Sequence, residues 1–342
     1  MISLPCGYGK TVWAVSAIAK LGRKACIFVH KSFLRDQWES TFQKFCPGVR
    51  IGYIQGKVWK VDECDVVIAM VMTMAKRNYS PDLMDSFGTI CFDECHHMAA
   101  PVMNMATRCF RARNVIGLTA TKQRPDGLTP LLHWSLGPEG FHVERDSELV
   151  RVSIAIFPGG TPEILNREGK PLVSIMLNKI AQNTKRNQFI AERVVHLFRT
   201  ARTILVLSDR IAQLEILYEM VLKERGICDG DVGFFTGATK EAERDVQLRR
   251  RIVMCSYGMA NEGLDKREAD TCVMATPKGR VTQCIGRIQR PCETKKTPLV
   301  VDVVDDVSVF VDLRWKRQKM YSKERYEVQV RRVGEDESEW FE

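Results

Sequence analysis

Two short stretches hold residue types that together perform phosphate chemistry. LPCGYGKT, Leu4 to Thr11, lies between a short apolar lead and a helix-compatible run, where backbone N–H groups at a helix start cradle an anion. Pro5, Gly7 and Gly9 suit a tight wrap, Lys10 suits the outer phosphates as a point charge, and the Thr11 hydroxyl suits a magnesium ion. The strict phosphate-loop pattern has Gly where Leu4 stands, so taken alone the stretch is a partial match.

The second stretch is TICFDECHH, Thr89 to His97, an apolar strand that delivers Asp93 and Glu94 at its C-terminal end, where α/β sheets place their ligands. Asp93 suits magnesium, held largely through water, and Glu94 suits orienting and deprotonating an attacking water, which phosphoryl transfer needs more than covalent chemistry. A solvated Asp-Glu pair at a strand end is common for one motif. It explains two in the correct order poorly. His96 and His97 beside Cys91 and Cys95 invite a zinc reading, but Cys91 falls inside the strand and the spacing disfavours it.

The elements that must position these groups are legible in the pattern. Short β-branched runs alternate with segments of helical period, the mark of βαβ units and a mostly parallel sheet. Strands are expected at residues 24–29, 50–54, 65–70, 89–92 and 115–118, with helices starting near Lys10, Ser32 and His97. From about 137 to 184, PGGTPE and NREGKP read as a connector carrying turns rather than a sheet. Alternation resumes with a helix over 185–198 and strands at 203–207, 232–235, 251–254, 271–275 and 298–303. The expected layout is α/β throughout: an ATP-binding domain over 1–140, a connector over 141–184, a second domain over 185–313, and a basic-then-acidic tail over 314–342.

The 342 residues suffice for two such domains without disulfides. No apolar run approaches the length needed to span a bilayer, and MISLPCGYGK lacks the order of a secretory signal, so a cytoplasmic, nuclear or viral-factory setting is expected, with no membrane partner. The 12 cysteines include no C-x-x-C pair and read as small buried side chains, among them Cys26, Cys91, Cys109, Cys255 and Cys272; no structural metal is expected. A formal charge of +9 favours a polyanionic partner without specifying one.

With those residues in place, the chain resembles superfamily 2 helicases of the DExH type, and within them the XPB-type helicases of transcription and repair and their relatives in large DNA viruses. The resemblance covers about residues 1 to 313. It implies two tandem RecA-like domains with ATP in the cleft between them, ATP and Mg2+ as cofactors, and DNA as partner, RNA being the alternative. IFVHKSFLRDQW, Ile27 to Trp38, is similar to a backbone-contacting motif, with Lys31 and Ser32 as contacts. GLTAT, Gly117 to Thr121, matches the motif coupling hydrolysis to strand movement through Thr119 and Thr121, with His96 as its partner. ILVLSDR and FFTGAT supply Ser208 and Thr236 as further contacts. In CSYGMANEGLD, Gly263 and Asp265 match positions that approach the nucleotide.

QCIGRIQR, Gln283 to Arg290, is the most specific match. Gln283, Arg287 and Arg290 fall at i, i+4 and i+7, so a helix presents all three on one face. Two arginines aimed at the γ-phosphate from the second domain stabilise transition-state charge. Three departures stand out. The Arg-Glu-Asp element of the XPB type reads Arg124, Pro125 and Asp126 here, which puts duplex opening in doubt. KREAD follows Asp265 in place of an apolar-Pro step. The chain begins three residues before Leu4, so lowered stability or weak nucleotide selectivity is expected. The resemblance implies a DNA-dependent ATPase acting as helicase or duplex translocase, with transcription or repair proteins as partners. The other readings are an RNA helicase or transcript-release ATPase, and a catalytically weak binding subunit.

Overall fold

The computed structural model describes every residue except 6, 77–78, 100–110, 121–126, 144–148, 159–162, 263, 294, 335–339 and 341–342. It divides into two compact units, Met1–Arg145 and Asp146–Glu342, each built on its own sheet.

In the first unit the strands are β1 (Ile2–Ser3), β2 (Ala25–Val29), β3 (Ile51–Gln55), β4 (Val58–Lys60), β5 (Val66–Met70), β6 (Thr89–Phe92), β7 (Asn114–Thr119) and β8 (Phe141–His142). They lie in the order β4-β3-β5-β2-β6-β7-β1-β8, parallel except for the β3/β4 hairpin. Successive side chains of a strand point to opposite faces, and β2 shows the result. Its Ala25, Ile27 and Val29 join one core with Leu34, Trp38 and Phe42, while Cys26 and Phe28 join a second core with Met84 and Leu132. Leu34, Trp38 and Phe42 recur every four residues, so the helix Ser32–Phe45 buries a single stripe against the sheet.

The second unit carries β9 (Arg151–Phe157), β10 (Ile204–Ser208), β11 (Val232–Phe235), β12 (Ile252–Ser256), β13 (Thr271–Met274), β14 (Leu299–Asp305) and β15 (Glu327–Arg332). The order is β11-β12-β10-β13-β14-β9-β15, and every neighbouring pair is parallel. Alternate residues again feed two cores, with Leu205 and Leu207 of β10 on one side and Ile204 and Val206 on the other.

All ten strands expected from the sequence are present within two residues at either end. Two expectations fail. The stretch expected to connect by turns supplies β9, paired with β14 over seven residues from Leu299↔Arg151 to Asp305↔Phe157, together with the helix Val173–Gln182. The basic-then-acidic stretch from Arg314, expected as a helix and then a loose end, continues the helix Ser308–Lys323 and then supplies β15, which extends the sheet beside β9, and Trp340, which packs on Phe189 and under Arg193. Cys95–Ala99 form a 3-10 turn, and the rest of the helix expected from His97 falls on residues 100–110, outside the described residues. Cys26, Cys91, Cys255 and Cys272 are buried as expected, and Cys109 lies outside the described residues.

Charged groups are sealed beneath the second sheet in matched pairs. Arg317 gives Asp302 two hydrogen bonds of 2.7 and 2.9 Å and gives the Lys278 carbonyl a third of 2.6 Å, while the Tyr321 hydroxyl donates to Asp302 at 2.9 Å. Removing one partner of such a pair leaves an uncompensated buried charge. Arg317→Met is therefore expected to lower unfolding stability by about 3–5 kcal/mol, much of it recovered by adding Asp302→Leu. Urea denaturation midpoints of the two variants check this; equal losses in both would contradict it.

Candidate functional site

Strand order brings the chemistry together. β7 lies between β1 and β6, so the loop after β1, the acids after β6 and Thr119 at the end of β7 meet at the C-terminal edge of one sheet. The Leu4 amide donates to the Thr119 carbonyl at 3.1 Å and ties the loop to the edge. The Tyr8 amide donates to the Pro5 carbonyl at 3.3 Å, and Gly7 and Gly9 take φ of +90° and +74°. Gly9 is the residue before the helix Lys10–Leu21, and no side chain caps that helix start. A β-carbon at Gly9 has open space but would sit in the left-handed region, so backbone strain rather than crowding requires glycine there. The result is a helix N-terminus whose first N–H groups face outward beside a lysine, the arrangement that suits a phosphate.

Lys10 Nζ donates to the Leu4 carbonyl at 3.3 Å and lies 3.9 Å from Glu94 Oε1. Asp93 is buried, only 7 % exposed. Its Oδ2 accepts from Trp38 Nε1 at 2.9 Å, and its Oδ1 accepts from the Glu94 amide at 3.0 Å. Glu94 itself adopts φ of +48°, uncommon for a residue with a side chain. That turn follows β6 directly, and it sets the Glu94 carboxylate beside Lys10 and His96. His96 Nδ1 lies 3.2 Å from Glu94 Oε2 and 3.2 Å from Thr119 Oγ1, so it touches the acid and the neighbouring strand end together.

The two acids are held differently. Burial, and then the adjacent Glu94 charge, pushes the Asp93 carboxyl above the usual range against the donors from Trp38 and the backbone. Burial alone would raise Glu94 too, but the hydrogen bond from His96 and the charge of Lys10 outweigh it and hold its carboxyl below the usual range. Of the pair, Glu94 ionises first as pH rises. Magnesium prefers hard oxygen ligands. The Thr11 hydroxyl opens the helix beside the loop and Asp93 offers a carboxylate, so the donor set fits that ion.

Several groups escaped sequence reasoning. Trp38 was legible only as a core residue, yet its indole N–H orients Asp93. His30, at the end of β2, has its ring 4.9 Å from that of His97, which lies 4.1 Å from His96. The adjacent histidines were visible in sequence, but their approach to His30 depends on β2 and β6 being neighbours. Ser32 is exposed at the start of its helix and Lys31 sits beside Phe33.

The second unit corrects the arginine geometry. The helix Thr282–Ile288 contains Gln283 and Arg287 but ends before Arg290, so the three do not share one helical face. Arg287 is buried and directs its guanidinium into backbone carbonyls, to Ala260 at 2.9 Å, Leu264 at 3.1 Å and Asn261. Arg290 instead pairs with the exposed Asp265. The segment 260–265 thus gathers both arginines, one as a clamp and one at its surface. Ser208 and Thr236, expected as surface contacts, are buried. The Ser208 hydroxyl bonds Gln213 at 2.7 Å and accepts from the Arg210 amide, while that of Thr236 accepts from the Ala238 amide at 3.3 Å, so both shape turns at strand ends. Thr121, Arg124 and Gly263 lie outside the described residues.

Comparison with known proteins agrees with this arrangement. The family described as "Type III restriction enzyme, res subunit" matches residues 1–124. Over 98 % of its length the chain is 30 % identical to L396 of Acanthamoeba polyphaga mimivirus, named as a candidate ATP-dependent RNA helicase, and covers 66 % of that protein. It is 25 % identical to the probable helicase D10 of Escherichia phage T5, over 87 % of this chain and 66 % of that one. The structure of S. cerevisiae Dbp5 bound to RNA and ADP BeF3 has the same fold, with a TM-score of 0.66 at 12 % identity over 96 % of this chain and 85 % of that one. The fold is that of two RecA-like domains, and nearly the whole chain is similar to proteins named as helicases, which supports a nucleic-acid-dependent ATPase. It spans about two thirds of the length of the curated relatives it matches. Among the described residues, no helix is long and apolar enough to cross a membrane.

Proposed function

We propose that the chain is the motor of an XPB-like DNA helicase or duplex-DNA translocase. The observation that carries the reading is the meeting of the helix start at Lys10 with Asp93, Glu94, His96 and Thr119 at one sheet edge. Lys10 and the amides after Gly7 bind the outer phosphates of ATP. Thr11 and Asp93 would hold Mg2+, largely through water, where it would supply positive charge beside the transferring phosphoryl group. Glu94, kept ionised beside Lys10 and His96, takes the proton of the attacking water. His96 and Thr119 pass the state of the acid to the neighbouring strand end.

The resemblance assigns Gln283, Asp265 and Gly263 to nucleotide binding and Arg290 to the γ-phosphate, in exchange for its pair with Asp265. Arg287 acts through the segment it clamps. ATP binding and hydrolysis then switch the grip on nucleic acid, with Lys31, Ser32 and Arg124 as contacts and Ser208 and Thr236 shaping contacting turns. The setting that suits the viral relatives is a viral factory, with transcription or repair proteins as partners.

A second reading, an RNA helicase, is supported by the name of the mimivirus relative. Strand displacement by the full chain with ATP and magnesium, on matched DNA and RNA duplexes with single-stranded tails, separates the two. Displacement of a third strand from duplex DNA detects translocation without opening. Activity on DNA in either assay supports the first reading, and activity confined to RNA transfers the conclusion to the second.

A further inference from the structure

The helix Ser308–Lys323 follows β14, and its basic run belongs to none of the motor motifs. Its inner face is fixed by Phe310, by Arg317 in the buried pair with Asp302, and by Tyr321. The opposite face presents Lys316, Lys319 and Lys323, all exposed, at i, i+3 and i+7, a stripe about 10 Å long at the helical rise. Beside it stands Trp315, 53 % exposed, with the Arg314 guanidinium 5.0 Å from the centre of its ring.

A solvated charged helix face normally interleaves signs, because like charges at i, i+3 and i, i+4 destabilise a helix. This one places Lys316 against Lys319 and Lys319 against Lys323, with acids only at Asp312 near one end and Glu324 beyond the other. Among the described residues the three lysines have no hydrogen-bond or ion-pair partner. An external polyanion relieves that repulsion, and an exposed aromatic ring next to it offers a surface on which an unpaired base stacks. Leu313 of the same helix approaches Gly279, next to Lys278, whose ammonium bonds Asp209 at the end of β10 at 2.8 Å. The stripe therefore begins close to a strand-end turn of the motor.

We infer that Trp315, Lys316, Lys319 and Lys323 form an accessory binding surface for a single-stranded nucleic acid, contacting three successive phosphates and stacking one base. The inference rests on the motor reading only for the class of its partner.

The test is fluorescence anisotropy of the full chain with labelled single-stranded and duplex oligonucleotides across a salt series. Each phosphate contact on a single strand contributes about 0.7 to the slope of log affinity against log salt, so K316Q/K319Q/K323Q is expected to reduce the slope by about 2. Trp315→Ala weakens single-strand binding about tenfold and duplex binding little. ATP turnover without polymer, and the melting temperature, stay at parental values, and K316R/K319R/K323R restores the slope. An unchanged slope in the glutamine variant overturns the surface, as does a parent chain that binds neither oligonucleotide, or binding of an acidic peptide that competes better than the single strand. A reduced slope in a chain without ATP turnover upholds the surface while the motor reading fails.

Discussion

Glu94→Gln is expected to lower polymer-stimulated ATP turnover by about 10²–10⁴-fold, the usual contribution of a positioned general base. Glutamine keeps the length and planarity of the side chain but cannot accept the proton of the attacking water. Its neighbours make the substitution clean. Lys10 at 3.9 Å and His96 at 3.2 Å lose a charged partner, but neither is thereby left in the apolar core, and the Glu94 amide still donates to Asp93. Nucleotide affinity is expected to persist, because phosphate binding rests on Lys10 and the helix start rather than on the acid. Single-turnover hydrolysis and titration with a fluorescent nucleotide separate the two effects. Equal loss of binding and turnover would mean that Glu94 holds the loop instead of the water.

The second large effect distinguishes the two arginines. Arg290→Ala is expected to reduce turnover about a thousandfold, the scale of a lost arginine finger, with little change in unfolding midpoint. Its side chain, largely covered, pairs with the exposed Asp265, so less stability rests on it than on Arg287. Arg287→Ala removes donors from three carbonyls around residues 260–264, and hydrogen bonds involving a charged group contribute about 1.5–3 kcal/mol each. It is expected to shift the denaturation midpoint strongly, with turnover lost through the fold. Parallel kinetic and denaturant measurements on both variants check the contrast. Wild-type turnover in Arg290→Ala removes that residue from the chemistry.

The difference between those arginines shows where sequence stops informing. Lys10, Asp93 and Glu94 are legible because each sits in a short contiguous motif at the end of a strand, and local pattern alone places them. What Arg287 touches lies more than twenty residues upstream, and its periodicity with Gln283 and Arg290 holds only if the helix continues. The helix stops at Ile288, so the inferred shared face does not exist. Ser208 and Thr236 fail for a related reason. A hydroxyl at a strand end serves a turn or a ligand equally well, and only the buried Gln213 and the Ala238 amide decide.

Among the strands, β9 and β15 were hidden by their neighbours rather than by their composition. β9 is a good apolar run, RVSIAIF, but no βαβ unit flanks it, and its partner β14 begins well over a hundred residues later. β15, EVQVRR, is an edge strand with one half-exposed face, so only Val328 and Val330 mark its period and the basic letters resemble a tail. The buried pairs of Arg186 with Asp305 and Arg317 with Asp302 were likewise invisible, since charged letters in helices read as surface until the sheet beneath them is known.

Hydrolysis of ATP in response to nucleic acid, at the site formed by Lys10, Asp93 and Glu94, is the property on which everything else here depends. Steady-state ATP turnover of the purified chain with magnesium, alone and with single-stranded DNA, duplex DNA or RNA, tests it beside Glu94→Gln. Turnover is expected to rise with at least one polymer and to disappear in the variant. Turnover unaffected by every polymer, or undiminished in Glu94→Gln, would contradict it.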